Sequence, residues 1–256
     1  MPPATTRSND TEIPRLSRPA RVAEEIKNWV VQEHFSAGDR LPSEPELIER
    51  FGMAKGTIRE AMRILEAQGL VKSRTGPGGG TFVHEVSKER ARALLGNYFY
   101  FKDLTIRDIY QLRRVLEPEL AASLAGKLPH EVLRQLEAII GEYDAPAATL
   151  EEERQQHVAS LRFHALLADQ ADNALLGFLI DFMVNILSDL TVYRKLYAPP
   201  NVELWRRGRA FQLELVDALR IGDADTARLV MRDHMETAQT LMEMQEAEMQ
   251  RRFISE

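Results

Sequence analysis

The chain has 256 residues, enough for one large or two ordinary domains, and a formal net charge of −6. It contains no Cys, which excludes disulfides and thiolate metal sites. No apolar run was found near the roughly 20 residues that span a bilayer, and the N-terminus has no secretory hydrophobic core. The sequence therefore predicts a cytoplasmic protein without a membrane partner.

Charge is unevenly distributed along the chain. Residues 1–84 hold 12 Lys and Arg against 11 Asp and Glu, whereas residues 85–256 hold 21 against 28. Because nucleic-acid phosphates repel an acidic surface, we expect the second part of the chain to lie away from any nucleic acid.

The first third of the chain alternates helical patterns with turn signals. Residues 1–18 lack periodicity and predict a disordered arm. Ser43 and Glu46 have the spacing of a capping box at a helix start. The predicted helices cover 19–33, 43–52 and 54–68, and the predicted strands cover 70–74 and 81–84 around a Gly-rich turn. This order is typical of a winged helix-turn-helix, which places its second helix in the DNA major groove.

From residue 87 onward every segment has helical periodicity. The predicted helices lie near 87–101, 105–125, 129–143, 149–171, 173–197, 201–221 and 223–253. The predicted fold class is mainly α: an N-terminal winged helix-turn-helix with a small β-hairpin, joined to a C-terminal all-α antiparallel bundle of six or seven helices. The predicted domains are the arm 1–18, a DNA-binding domain 19–85, a linker and connecting helix 86–104, and a helical effector-binding and dimerisation domain 105–253.

The helix over 54–68 carries side chains suited to reading DNA. Lys55 and Arg59 are four residues apart and share a face, and Arg59 has the planar donors that pair with guanine O6 and N7. Gly56 permits close approach of the backbone, and the Gly-rich turn can follow a phosphate or enter the minor groove. The residues predicted to contact DNA are Ser43, Lys55, Gly56, Thr57, Arg59, Arg63, Arg74, Gly78, Gly79 and Gly80.

Residues 22–83 resemble the winged-helix domain of the GntR family of transcriptional regulators. The resemblance rests on 41–44 (Leu-Pro-Ser-Glu), 57–61 (Thr-Ile-Arg-Glu-Ala), 69–70 (Gly-Leu) and the Gly-rich turn that closes on 82–83 (Phe-Val). It implies double-stranded DNA as a partner, and it places Lys55, Gly56, Thr57, Arg59 and the wing glycines at DNA-contact positions.

Residues 105–240 contain 112–114 (Leu-Arg-Arg), 163–164 (Phe-His), 172–173 (Asp-Asn), 222–223 (Gly-Asp) and 234–235 (His-Met). On these pieces they resemble the all-helical FCD effector domain of the FadR subgroup. Many members of that subgroup bind a divalent metal through four positions, which in this chain are Ser160, His164, Gln212 and His234. A hydroxyl and an amide are poor ligands for a transition metal. The resemblance therefore predicts at most weak metal binding, through His164 and His234, and no enzymatic cofactor is expected.

Arg113 is the main candidate for contact with an effector. Its helix otherwise presents Ile109, Leu112 and Leu116, and an Arg directed into an apolar bundle needs an anionic partner. A small carboxylate is our first choice of effector, and a longer acyl compound is the second. The alternative is an exposed pair with Glu117, four residues along. The other candidates for effector contact are Ser160, His164, Asn185, Tyr193, Gln212 and His234.

These features predict a homodimeric transcriptional repressor on a palindromic operator, with an affinity controlled by an effector in the helical domain. Two alternatives remain open. One is a metal-dependent helical-bundle enzyme with a DNA-targeting domain, and the other is a constitutive DNA-binding protein without a ligand.

Overall fold

The computed structural model of the protein describes residues 16–255, without the side chains of Tyr100 and of residues 250–255. Residues 1–15 of the predicted arm lie outside the described residues. The chain divides into two compact units between Ala91 and Arg92. We call them the DNA head and the effector unit.

The DNA head begins with three helices. They are α1 (Arg18–Gln32), α2 (Glu44–Phe51) and α3 (Lys55–Gln68). Ser43 is the N-cap of α2, and its backbone N and Oγ both donate to the Glu46 carboxylate at 2.6 Å. Gly52 and Gly69 end α2 and α3 with φ of 61° and 83°, which L side chains rarely adopt. All three helices agree with the sequence prediction within a residue at each end.

A two-stranded antiparallel hairpin follows α3. Strands β1 (Val71–Arg74) and β2 (Gly80–Val83) pair in a register that places Val71 opposite Val83 and Arg74 opposite Gly80. The core of the head lies under the hairpin and between the helices. Its fully buried members include Ile26, Leu47, Ile58 and Leu65. This core fixes the position of α3 and leaves the opposite face of that helix exposed.

Seven helices follow the hairpin, as the sequence predicts. They are α4 (Lys88–Tyr100), α5 (Ile106–Leu124), α6 (His130–Gly141), α7 (Leu150–Ala168), α8 (Ala174–Tyr193), α9 (Val202–Ile221) and α10 (Ala224–Ser255). The division between the two units falls within α4. Thr105 caps α5 by accepting from Asp108 N, and Asn173 caps α8 by accepting from two backbone N–H groups.

The effector unit is a helical bundle in which α5 packs against α10, α9, α8 and α7. Helix α6 packs against α7 and α9, and α10 also packs against α9. The bundle has one continuous apolar core that includes Ile106, Phe163, Ile180, Leu187 and Met242. A ring of helices around α5 brings the polar residues of α5, α7, α9 and α10 to a common centre.

Helix α8 corrects the expectation that no segment is apolar enough to span a bilayer. An 18-residue window of this 20-residue helix has a mean hydropathy of 1.8, so by length and composition alone the helix would qualify. In the structure α8 packs against α7 and α5, and its buried Asp181 pairs with Arg92. The apolar composition of α8 is that of a helix in a bundle core.

Candidate functional site

The exposed face of α3 presents two cations held by one carboxylate of α2. Arg59 Nε lies 2.7 Å from Glu44 Oε2, and Lys55 Nζ lies 3.5 Å from Glu44 Oε1. The hydrogen bond from Arg59 lowers the pKa of Glu44. The side chains of Lys55 and Arg59 are 62% and 58% exposed, so water and salt screen both pairs and another anion can displace Glu44.

A groove of about 460 Å³ lies beside α3 and brings together several of the predicted DNA contacts. Ser43, Arg59, Arg63 and Gly80 line it, together with Arg40, which the sequence analysis did not select. Arg63 Nη1 donates to Glu60 Oε2 at 3.2 Å on the exposed side of α3. Gly56 is exposed, and a Cβ placed on it would have no atom within 4 Å. Thr57 is half-buried.

The turn between the two strands is shaped by its glycines. A Cβ on Gly79 would lie 2.6 Å from Arg74 O and 2.7 Å from Gly76 O, so any other residue would collide with backbone. Gly78 has φ of +76°, which also favours glycine. Arg74 lies over the Phe82 ring at 4.7 Å, which directs its guanidinium along the hairpin. The wing is therefore a compact hairpin with a cation on its strand.

The effector unit contains a small cavity between α5, α7, α9 and α10. Its volume is about 60 Å³. Its lining combines cationic, imidazole, carboxylate, amide and aromatic groups: Tyr110, Arg113, Tyr143, Glu153, Gln156, His157, Ser160, Leu161, His164, Leu204, Trp205, Gly208, Arg209, His234, Met235 and Ala238. Since a cavity of about 10–15 Å³ can hold one water, this one has room for a ligand of only a few non-hydrogen atoms.

Arg113 is buried rather than exposed, and its side chain is 1% accessible. Its Nε donates to Glu117 Oε1, while Glu117 Oε2 contacts His164 Nδ1. Burial alone would raise the pKa of Glu117, but Arg113 and His164 lower that pKa to about 2. The pair with Glu117 that the sequence offered as an alternative does form, but it is buried beside the cavity and leaves Arg113 Nη2 without a hydrogen-bond partner among the described residues.

His164 and His234 lie next to each other, with their Nε2 atoms 3.2 Å apart. Burial lowers the pKa of both imidazoles, so both are neutral near pH 7. Because the Glu117 carboxylate only accepts hydrogen bonds, His164 Nδ1 carries the proton and His164 Nε2 is an acceptor. His234 Nε2 therefore donates to His164 Nε2. These two hydrogen bonds fix the tautomers of the His164 and His234 imidazoles.

Ser160 and Gln212 occupy the other two positions that the family resemblance assigns to metal ligands. Gln212 is fully buried, and its Nε2 donates to Ser160 O and Ser160 Oγ at 3.2 Å. Tyr143 donates its hydroxyl proton to Gln212 Oε1. Both side chains are thus engaged in hydrogen bonds with their neighbours.

This set of donors does not fit a resident divalent cation. It supplies two neutral imidazoles that are hydrogen-bonded to each other, a hydroxyl and an amide, whereas transition metals in proteins prefer three or four imidazole, carboxylate or thiolate ligands. Within residues 16–255, no group of three or more His, Asp or Glu residues could hold an ion.

Three sequence candidates for effector contact do not line the cavity, namely Gln212, Tyr193 and Asn185. Tyr193 is 85% exposed near the end of α8. Asn185 donates to Asp181 O at 2.7 Å, one helical turn back. By contrast, Arg113, Ser160, His164 and His234 line the cavity.

Gln156 and Arg209 also line the cavity but were not predicted from the sequence. Spacing gives only a partial signal for Gln156, because it shows which residues share a face of α7 but not that this face is turned inward. Glu153, Gln156, Ser160 and His164 recur every three or four residues, and so share one face of α7.

Comparison with known proteins gives consistent matches over both units. Residues 19–83 match the gntR family of bacterial regulatory proteins, and residues 108–237 match the FCD domain. The HTH-type transcriptional repressor NanR of Cronobacter sakazakii is 28% identical over 224 residues, covering 84% of this chain and 81% of the relative. The Uxu operon regulator of Haemophilus influenzae is 25% identical over 242 residues, covering 89% and 83%.

A solved structure has the same fold. The Streptococcus agalactiae GntR protein superposes with a TM-score of 0.61 at 20% identity, covering 87% of this chain and 99% of that one. These matches confirm the predicted fold class and the predicted family resemblance for both parts of the chain.

Proposed function

Because the chain belongs to the GntR family of bacterial regulatory proteins and carries an FCD domain, we propose that it is a repressor released from its operator by a small carboxylate. The protein is a sequence-specific DNA-binding transcriptional regulator under the control of a small molecule. We further propose that it acts in the cytoplasm as a homodimer on a palindromic operator, and that it has no enzymatic activity.

The observation that carries the carboxylate proposal is the state of Arg113. Its guanidinium is buried, its Nε is held by Glu117, and its Nη2 belongs to a cavity-lining residue and has no partner within residues 16–255. A buried N–H without a partner costs about 1–3 kcal/mol, more for a charged group. A carboxylate in the cavity would satisfy that donor, because charge-assisted hydrogen bonds to carboxylates are the strongest that Arg makes.

Control of DNA binding follows if the carboxylate prefers one arrangement of the protein over another. The proposed site needs no metal, since Arg113 Nη2 supplies the donor that would hold the carboxylate. We therefore expect the response to the effector to persist after treatment with a chelator. The predicted weak site at His164 and His234 would then be unimportant for regulation.

The test uses the full-length protein and a duplex selected from a random pool. Small mono- and dicarboxylates are screened for release of this duplex and for a rise in melting temperature. The Arg113→Lys variant keeps a cation beside Glu117 but loses Nη2, so we expect it to bind the duplex normally and to need at least about 10-fold more acid for release.

The matched control is Arg114→Lys at the neighbouring exposed position, which should behave as the parent protein. If Arg113→Lys and the parent respond to the same concentrations of acid, Arg113 does not bind the effector. If EDTA abolishes the response, the metal-independent site is refuted.

A further inference from the structure

Unpartnered polar atoms in the effector unit are concentrated at one place. Five buried side-chain nitrogen or oxygen atoms of the described residues lack a hydrogen-bond partner, and three belong to residues that line the cavity. These three are Arg113 Nη2, Gln156 Oε1 and Arg209 Nε; the other two are on Thr191 and Gln239. Since buried polar groups in proteins are almost always paired, three exceptions around one cavity point to a ligand that pairs them.

Gln156 contributes an acceptor and not a donor. Its Nε2 donates to Ala145 O at 3.0 Å. Turning the amide over would place Oε1 against that carbonyl oxygen, and two acceptors would then face each other. The loop at Ala145 therefore fixes the amide with Oε1 as the atom left without a partner.

The donors and acceptors of the cavity lie on different helices. Arg113 on α5 and Arg209 on α9 each have a guanidinium nitrogen without a partner. Helix α7 supplies the acceptors, Gln156 Oε1 and the buried carboxylate of Glu153, which also accepts from Asn201 N at 3.1 Å. A ligand that is only an anion would satisfy the guanidinium groups and leave Gln156 unpaired.

We propose that Gln156 and Arg209 make this cavity selective for compact carboxylates that carry a second, hydrogen-bond-donating group, either a hydroxyl or an ammonium. The ligand carboxylate accepts from Arg113 Nη2 and Arg209 Nε, and the second group donates to Gln156 Oε1. The cavity volume of about 60 Å³ limits the ligand to a few non-hydrogen atoms, so the two groups lie close together. This inference rests on the proposed function and specifies the chemistry of the same site.

Four three-carbon acids of nearly equal size test the proposal. Propionate has no second group, pyruvate has an acceptor there, lactate has a hydroxyl and alanine has an ammonium. Binding to the full-length protein is measured by calorimetry and by the fluorescence of Trp205, which lines the cavity and donates to Tyr143 O at 2.9 Å. We expect lactate, alanine or both to bind at least about 10-fold more tightly than propionate and pyruvate, because the latter two leave the buried acceptor Gln156 Oε1 unpaired.

Two substitutions locate the source of this preference. Gln156→Leu removes the acceptor and should reduce the preference over propionate to within about threefold, while the control Gln155→Leu changes an exposed neighbour and should keep it. Arg209→Lys keeps the charge but loses Nε, and should weaken all four acids together. Its control is Arg207→Lys, at a position that pairs with Glu203 on the surface.

The outcomes separate this inference from the proposed function. If propionate binds and releases DNA as well as lactate and alanine do, the carboxylate effector stands and the selectivity is overturned. If Gln156→Leu keeps the full preference, the assignment of Gln156 is overturned. If none of the four acids binds but a larger carboxylate without a donor group does, the selectivity is overturned and the carboxylate effector stands. If no carboxylate binds at all, both proposals fail.

Discussion

Two arginine–glutamate pairs with the same chemistry lie in opposite surroundings in the two units. In the DNA head, Arg59 Nε donates to Glu44, and the side chains of Arg59 and Glu44 are 58% and 32% exposed. In the effector unit, Arg113 Nε donates to Glu117, and each side chain is 1% exposed. The exposed pair is screened by water and can exchange its carboxylate for DNA, whereas the buried pair holds one geometry.

Under the proposed roles of Arg59 and Arg113, one residue type serves two kinds of recognition. A DNA-reading Arg must leave its intramolecular partner when a base or phosphate arrives, so a weak pair suits it. An Arg that binds a small ligand in a cavity must be held beforehand, because ordering it during binding would cost affinity. Glu117 and His164 provide that support for Arg113.

We expect Glu117→Ala to show the largest difference between the two pairs, as a loss of unfolding free energy. This change leaves Arg113 buried without its counter-ion and His164 without an acceptor, so we expect the effector unit to lose about 3–5 kcal/mol of unfolding free energy. Urea denaturation followed by Trp205 fluorescence in a Trp29→Phe background measures this loss, since the two Trp residues lie in different units.

The comparison variant is Glu44→Ala in the head, read from Trp29 in a Trp205→Phe background. Its pair is solvent-exposed, so the head should unfold at nearly the same urea concentration as the parent. Equal losses from the two variants would show that burial does not distinguish the pairs.

The exposed pair gives a second prediction, which tests whether Arg59 contacts a DNA base. Arg59→Ala should relax the preference at one base pair of the selected duplex, because a bidentate contact to guanine contributes about 1–3 kcal/mol of discrimination. Binding to the parent duplex and to every single-base variant of it measures this change. The control is Lys27→Ala, which removes a partly exposed cation of α1 that is paired with Glu24 and is not among the predicted DNA contacts. A uniform loss on all duplexes would assign Arg59 to phosphate contact instead.

Most of the fold follows from local signals in the sequence. The helix ends of the head are marked by Ser43 with Glu46, by Gly52 and by Gly69, and each of them caps a helix in the structure. The breaks at Thr105 and Asn173 likewise become N-caps. Capping and turn chemistry act over three or four residues, so they can be read from the chain without knowledge of the tertiary structure.

The cavity was only partly predictable because its residues come from separate helices. Arg113 stands out on α5, where Ile109 and Leu116 at helical spacing are apolar. Helix α7 is polar around much of its surface, so periodicity does not show that Gln156 faces inward. Helix α8 is apolar nearly all round, so Asn185 is conspicuous in its sequence, but the Asn185 amide donates to Asp181 O of its own helix. The contacts between helices decide these cases, and no local pattern encodes them.

Histidine residues of the two units differ in burial, as the two ion pairs do, and this difference gives the final prediction. His34 and His84 in the head are exposed, whereas His157, His164 and His234 all line the cavity of the effector unit. Burial, with a contribution from Arg113, lowers the pKa of His157 to about 4, and burial also lowers the pKa of His164 and His234. Between pH 6.5 and 4 the unfolded effector unit therefore binds more protons than the folded one, and its stability falls as the pH falls.

From His157 alone, lowering the pH from 7 to 5 should reduce the unfolding free energy of the effector unit by on the order of 2 kcal/mol. The head has no buried histidine among its described residues, so its transition should move less over the same range. Thermal melts read separately from Trp205 and Trp29 should then move apart on acidification. His157→Asn should reduce the separation, because an amide does not titrate. If the two transitions shift together, the buried imidazoles do not set the acid sensitivity of the effector unit.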